Sequence, residues 1–154
     1  RGAWIGLTWG HTKGHLFRAV LEGLAFDHAL GFEHIRRLFP DFDPSRVEGA
    51  GGGAGNRLWN RIKANVMKLQ YRSRGEHHFT LRGCALIAGY GLGIYPDLQA
   101  AAEEMNREDE HVDIHPEQDI IEQYTRCYRI FKEALEEPLG RAMQKLVSAG
   151  KDKL

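Results

Sequence analysis

The sequence predicts an α/β fold, because short strand candidates alternate with helical segments and the connections between them are tight. The strand candidates are residues 47–50 and 69–73, and each leads into a run with apolar residues at helical spacing. Glycine is also unevenly distributed, since 16 of the 18 glycines precede residue 94. We therefore expect an α/β core over about residues 1–105, followed by a long C-terminal helix over residues 116–148.

The first predicted helix covers residues 16–39, with Thr8 or Thr12 placed to cap its start and Pro40 to end it. Its first half is apolar nearly all round, which predicts a buried central helix. The predicted apolar stripe consists of Phe17, Leu21, Leu24, Ile35 and Leu38.

Between the strand candidates, residues 56–68 predict a helix with Leu58, Ile62 and Val66 on one face. A helix rich in small residues is predicted over residues 79–93, and small side chains allow close packing against a neighbour. Residues 104–115 are polar and predict a loop.

The last helix begins near Pro116, since proline suits the first turn of a helix. Pro138 lies inside the same helical pattern and predicts a kink or a break. The apolar stripe that would pack this helix on a neighbour is Ile121, Tyr124, Tyr128, Phe131, Leu135, Leu139, Met143 and Leu146.

Composition excludes several classes of protein. Lys+Arg and Asp+Glu both number 21, so the zero formal net charge gives no indication of nucleic-acid or membrane-surface binding. No apolar run approaches the roughly 20 residues that span a bilayer. Cys84 and Cys127 are far apart in sequence and predict reduced thiols in a cytoplasmic protein. The chain begins at Arg1, without a leader pattern, and we expect it to be a piece of a longer protein.

The main candidate site is a glycine run, with five glycines between Gly49 and Gly55, placed between a strand and a helix. Such a run can bring backbone N–H groups close to a phosphate or nucleotide. A P-loop is excluded because no lysine follows in the GxxxxGK[ST] pattern. A Rossmann fingerprint is partly met by Gly49-x-Gly51-x-x-Ala54, and Arg72 and Arg74 could suit a 2′-phosphate. Close packing of helix on strand is the third reading, and these residues alone leave the choice open.

Other polar and aromatic candidates have simpler structural interpretations. His11 and His15 have a metal-ligand spacing but no acidic or cysteine companion, so we interpret them as capping and packing residues and predict no metal site. Arg18 and Glu22 predict an ion pair on a helix surface or between domains. Trp4 and Trp59 predict core residues. The histidines His77, His78, His111 and His115, and the acidic residues Glu103, Glu104, Glu108, Asp109 and Glu110, predict solvated surface.

Three segments together resemble a known family. Residues 2–22 resemble the C-terminal signature of the FGGY carbohydrate kinases. The matching positions are Gly2, Trp4, Gly6-Leu7, His15-Leu16, Ala19 and Glu22. Residues 51–66 are similar to the family's GGGA segment, and residues 82–95 to its GAALLAA segment. Departures from the family pattern are Arg61 in place of glutamine, Asn65 in place of aspartate and Cys84 in place of alanine.

The resemblance implies an actin-like ATPase (ribonuclease H-like) fold, with residues 1–154 forming one partial domain, the C-terminal ATP-binding domain of a sugar kinase. It implies that Gly52, Gly53 and Ala54 approach the adenosine end of ATP through their backbone, and that Asn56 hydrogen-bonds the adenine. A side chain at Gly52 or Gly53 would then occupy the ligand's space.

The resemblance also implies the reaction: ATP and a sugar or polyol, such as xylulose, give a sugar phosphate and ADP with Mg²⁺. In the family the catalytic aspartate and most of the groups that hold Mg²⁺ and the triphosphate lie upstream of the segment that corresponds to Arg1. We therefore expect no catalytic residue in this chain, no activity from the chain alone, and a homodimer contact through the last helix. The alternatives are an NADP-type Rossmann binding domain and a non-catalytic actin-like interaction module.

Overall fold

The computed structural model describes residues 3–74, 79–106, 111–136 and 138–151. The elements follow one another as α1 (Lys13–Leu38), β1 (Arg46–Gly49), a 3₁₀ turn (Gly52–Gly55), α2 (Arg57–Met67), β2 (Gln70–Arg74), α3 (Phe79–Gly91), α4 (Leu98–Asn106), β3 (His111–Ile114), α5 (Gln118–Glu136) and α6 (Pro138–Lys151).

The chain divides into two compact units. The first unit comprises residues 1–43, 65–68 and 116–154, and the second comprises residues 44–64 and 69–115. The first unit thus holds α1, α5 and α6, while the second holds the sheet, the glycine run, α3 and α4. The assignment of residues 1–154 to one domain stays a prediction.

A three-stranded sheet forms the centre of the second unit, in the order β1-β2-β3. β1 and β2 are the two predicted strands; they pair in parallel, with Val47 opposite Tyr71, and α2 connects them. This βαβ connection confirms the predicted α/β arrangement. Along β2 the side chains of Tyr71 and Ser73 are buried, while the alternate residues are only partly covered.

The prediction of a loop over residues 104–115 is wrong. Residues 104–106 continue α4, and His111–Ile114 form β3, which pairs with β2 in the antiparallel direction. The pairing places Asp113 opposite Arg72, and this ion pair stabilises a strand that is too short and polar to be found from periodicity. Residues 107–110 lie outside the described residues, as do His77 and His78.

In the first unit, α1 packs on α5 through one narrow face. Phe26 lies against the rings of Tyr124, Tyr128 and Phe131, with centroid separations of 6.2, 5.9 and 5.3 Å. The residues of α1 that are buried are Leu21, Ala25, Phe26 and Ala29.

The prediction that the first half of α1 is buried all round is wrong. Phe17, Val20 and Leu24 are 59%, 42% and 45% exposed, because the face of α1 that carries them does not pack against the described part of the first unit. Thr12 is the N-cap, as predicted, and the helix begins three residues before the predicted start and ends one residue before the predicted end, at Lys13 and Leu38.

The predicted C-terminal helix is present as two helices. α5 is described to Glu136 and α6 from Pro138, and residue 137, where the predicted kink or break would fall, lies outside the described residues. A proline is favourable at the first position of a helix, where its missing N–H group has no intrahelical partner to lose. Within the ranges described, no helix combines the length and apolar character needed to cross a membrane.

Candidate functional site

The glycine run connects β1 to α2 within the second unit. After β1 the backbone turns at Gly51, whose φ of +85° is costly for any residue with a side chain, and enters the 3₁₀ turn. The Ala54 N–H donates to the Gly51 carbonyl (2.9 Å), and the Asn56 N–H donates to the Gly53 carbonyl (3.3 Å). The run is thus an ordered turn closed by its own hydrogen bonds.

The glycines of the run are needed for different reasons. A Cβ atom on Gly49 would overlap the Tyr71 hydroxyl, and one on Gly53 would lie 2.6 Å from Cζ3 of Trp59. Gly51 is required by its φ. A Cβ atom on Gly52 would meet nothing within 4 Å, and its φ is not positive. Packing or backbone geometry therefore explains why positions 49, 51 and 53 are glycine. Neither explains why position 52 is glycine.

Ala54 connects the glycine run to α2 and β2 by hydrogen bonds. Its carbonyl accepts hydrogen bonds from Asn60 Nδ2 on α2 and from Ser73 Oγ on β2, each at 2.6 Å. The residue is only 3% exposed, and its N–H group is also used within the turn. Its geometry is therefore that of a support that fixes the neighbouring glycines.

Asn56 caps α2. Its Oδ1 accepts a hydrogen bond from the Trp59 N–H at 3.0 Å, which satisfies one of the free donors at the start of the helix. The side chain is half-buried, and within the described ranges its Nδ2 donates to no other residue. Capping thus uses the oxygen of this amide, and its N–H₂ group has no partner among the described residues.

Sequence reasoning missed a cluster of Trp59, Lys63 and Tyr71 that packs beside the run. The Lys63 Nζ lies 3.6 Å from the Trp59 ring centroid and 3.2 Å from the Tyr71 hydroxyl, to which it donates. Burial lowers the pKa of the Lys63 ammonium and raises the pKa of the Tyr71 hydroxyl. The helical spacing between Trp59 and Lys63 was a detectable signal, because residues four apart share a helix face.

The arginines proposed for a 2′-phosphate are paired with carboxylates. Arg72 makes a bidentate contact with Asp113, at 2.7 and 2.8 Å, and its hydrogen bonds lower the pKa of that carboxyl to about 2. Arg74 pairs with Glu48 at 3.1 Å. A 2′-phosphate at this position would have to displace these partners.

The histidine pair lies at the start of α1 and is used locally. Thr8 N–H donates to His11 Nδ1 at 2.9 Å, and Thr12 N–H donates to His15 Nδ1 at 3.1 Å. The second contact belongs to the capping box of α1, which agrees with the capping role predicted for this pair. Among the described residues no group of three or more His, Cys, Asp or Glu side chains is arranged to hold a metal ion.

The remaining candidates are structural. Arg18 and Glu22 form the predicted ion pair at 2.8 Å, and the Tyr124 hydroxyl donates to Glu22 and accepts from Arg18. Trp4 is 53% exposed, so its predicted core position is wrong; its Nε1–H donates to the Leu16 carbonyl at 3.4 Å. Both cysteines are free thiols, as predicted, and both are exposed.

Asn65, which stands where the family pattern has aspartate, connects α2 to the start of α5 inside the first unit. Its Oδ1 accepts from the Glu117 N–H at 2.6 Å, and its Nδ2 donates to the Glu117 carboxylate at 3.3 Å. An aspartate at this position could accept the N–H but would repel the carboxylate. The pair therefore suits an asparagine.

Known proteins match this chain over most of its length. The sequence model described as "FGGY family of carbohydrate kinases, C-terminal domain" matches residues 1–92. A xylulose kinase from Staphylococcus epidermidis is 30% identical over 135 residues, which is 86% of this chain and 27% of the relative. An L-fuculokinase from Escherichia coli K12 is 30% identical over 120 residues, which is 78% of this chain and 25% of the relative. The chain thus spans about a quarter of the length of these relatives.

Solved structures of sugar kinases also match this chain, and they show its fold. A ligand-bound xylulose kinase from Lactobacillus acidophilus superimposes with a TM-score of 0.67 at 22% identity, covering 92% of this chain and 28% of the other. A xylulose kinase from Rhodospirillum rubrum gives 0.64 at 23% identity, covering 85% and 26%. The predicted actin-like ATPase fold, present as part of a domain, is therefore confirmed. On its sequence match over residues 1–92, the chain belongs to the FGGY family of carbohydrate kinases and contains part of that family's C-terminal domain.

Proposed function

We propose that this chain is the nucleotide-binding part of an ATP-dependent carbohydrate kinase, and that residues 52–56 hold the adenosine end of ATP. One observation carries the proposal. Gly52 is open to solvent and has no clash or backbone angle that would demand glycine. Space kept clear at one position of an otherwise fixed turn is what the close approach of a ligand needs.

The other predicted site residues contribute in different ways. Gly53 and Ala54 are fixed by Trp59, Asn60 and Ser73, so they set the shape of the run. Asn56 supplies an amide N–H₂ group while its oxygen caps α2. An N–H₂ donor can pair with an acceptor nitrogen of adenine, as asparagine does in nucleic-acid recognition.

The proposed parent reaction is transfer of the γ-phosphoryl group of ATP to a hydroxyl of a sugar or polyol. Mg²⁺ supplies charge neutralisation at the phosphates in such transfers, and the protein mainly positions the reactants. We place no Mg²⁺ ligand and no catalytic aspartate among the described residues, so the chain alone is expected to transfer no phosphate. Relatives named for xylulose and for L-fuculose match at the same 30% identity, and xylulose is the first sugar to test. A cytoplasmic location and a homodimer also remain proposals.

Titration of the 154-residue chain with ATP and with NADPH tests the proposal. We expect ATP to bind weakly and NADPH not to bind. Gly52→Val should abolish ATP binding and leave the melting temperature within about 2 °C, because the added side chain enters open space. Gly23→Val on α1 is the matched control, since it also adds a side chain in open space but far from the run in sequence.

Three results would contradict the proposal. Preference for NADPH would support a Rossmann-type binding domain, and no binding of either nucleotide would support an interaction module. Unchanged ATP binding by Gly52→Val would show that the open space at this glycine is not where the nucleotide lies.

A further inference from the structure

A buried cation lies next to the glycine run. Lys63 is 5% exposed, and its Nζ is 3.6 Å from the centroid of Trp59 and 5.0 Å from that of Tyr71. Its hydrogen bond goes to the Tyr71 hydroxyl. Within the part of the chain that the structure describes, no carboxylate lies within ion-pair distance of this ammonium group.

This arrangement is not explained by the stability of the fold. A buried ammonium group without a carboxylate loses its hydration and recovers only part of that free energy from aromatic faces. Burial accordingly lowers the pKa of Lys63. A methionine would fill a similar volume without burying a charge, and this gain offsets the hydrogen bond that the Tyr71 hydroxyl would lose.

The cation is instead connected to the run through the two rings that it contacts. The Trp59 ring has Lys63 over its face and Gly53 against its Cζ3 edge. The Tyr71 hydroxyl accepts from Lys63 and occupies the space beside Gly49. One ammonium group thus contacts both aromatic side chains that pack against the glycines on either side of Gly52.

We propose that Lys63 is a positioning residue for the nucleotide subsite: it holds Trp59 against Gly53 and Tyr71 against Gly49, and so fixes the backbone around Gly52. The inference rests on the proposed function, because it assigns the fixed backbone a role in binding the adenosine end of ATP. Lys63 itself does not contact the ligand. Its effect should therefore be the same for adenosine and for ATP.

The test is Lys63→Met, with Lys68→Met as matched control, since Lys68 follows the same helix and is exposed. Binding of ATP and of adenosine to the 154-residue chain is measured by calorimetry, and unfolding by thermal melting. We expect Lys63→Met to melt at the same or a higher temperature than wild type, and to bind both ligands about three- to tenfold more weakly. Lys68→Met should behave as wild type in both measurements.

A double-variant cycle adds a readout that a purely structural role would not change. Because Lys63 acts partly through the Trp59 ring, Lys63→Met should weaken nucleotide binding less in a Trp59→Leu background than in wild type, and the remaining effect should come from the loss of its contact with Tyr71. Additive effects of the two substitutions would overturn the inference. So would wild-type affinity in Lys63→Met, loss of ATP binding with adenosine binding retained, or a melting temperature that falls together with affinity. Failure of the wild-type chain to bind either ligand would instead refute the proposed function on which the inference rests.

Discussion

Replacing Gly53 with alanine is expected to destabilise the second unit, whereas the same change at Gly52 is not. The new methyl carbon at Gly53 would lie 2.6 Å from Cζ3 of Trp59. Two carbon atoms in contact are normally about 3.5–4.0 Å apart, so the ring or the run must move by about 1 Å. Trp59 cannot move freely, because Lys63 lies over its face.

Overpacking of this kind costs about 1–3 kcal/mol. For a chain of this length, each kcal/mol lowers the melting temperature by about 2–4 °C, so Gly53→Ala should melt about 2–12 °C below wild type. The assay is thermal and urea unfolding of wild type, Gly53→Ala and Gly52→Ala. Equal stability of the two variants would refute the different roles assigned to these glycines, because the contact at Trp59 would then carry no energy. In a Trp59→Leu background, which removes the ring, the Gly53→Ala penalty should shrink.

Three further expectations concern named contacts. Asn56→Asp should keep the cap of α2 and weaken ATP binding, because the oxygen acceptor remains and the N–H₂ donor is lost; calorimetry that shows full affinity would remove Asn56 from the site. The pKa of Asp113 is lowered from 3.8 to about 2, so its pairing with Arg72 stabilises the fold above pH 3.8, and this stabilisation is lost as the pH falls through about 2. In Arg72→Gln the pKa of Asp113, measured by NMR titration, should rise towards 3.8. An unchanged pKa would contradict the assignment. Tyr124→Phe removes the hydroxyl that bridges the ion pair on α1 and should cost about 0.5–1.5 kcal/mol in urea unfolding, with the half-exposed Tyr90→Phe as a neutral control.

Local signals in the sequence were sufficient for most of the fold. Both parallel strands, the helix between them and the cap at Thr12 depend on residues within a few positions of each other. β3 was missed because His111–Ile114 becomes a strand only through pairing with β2, whose residues lie far away in sequence. The exposure of Phe17 was missed for a related reason, since apolar character around a helix does not say which neighbours are present.

The residues of the proposed site were named from the sequence, and the structure adds how their side chains pack. The glycine run and Asn56 could be found from their residue types, and the family resemblance gave their expected role. The sequence could not separate Gly52 from Gly53, because the distinction depends on where the Trp59 ring lies. Lys63 reads in the sequence as a surface residue of an amphipathic helix, and only the packing of Trp59 and Tyr71 around it reveals a buried cation.

The unequal reasons for glycine within one run have a consequence for natural variation. Positions 49, 51 and 53 are held by contact or by backbone angle, so any sequence that keeps this turn should keep glycine there even if it has lost nucleotide binding. Under the proposed function, position 52 is kept as glycine only by the nucleotide, and it could change once that ligand no longer has to fit. A descendant of this fold with a bulky residue at position 52 and glycine at the other three would therefore be expected to have lost the nucleotide while keeping the turn.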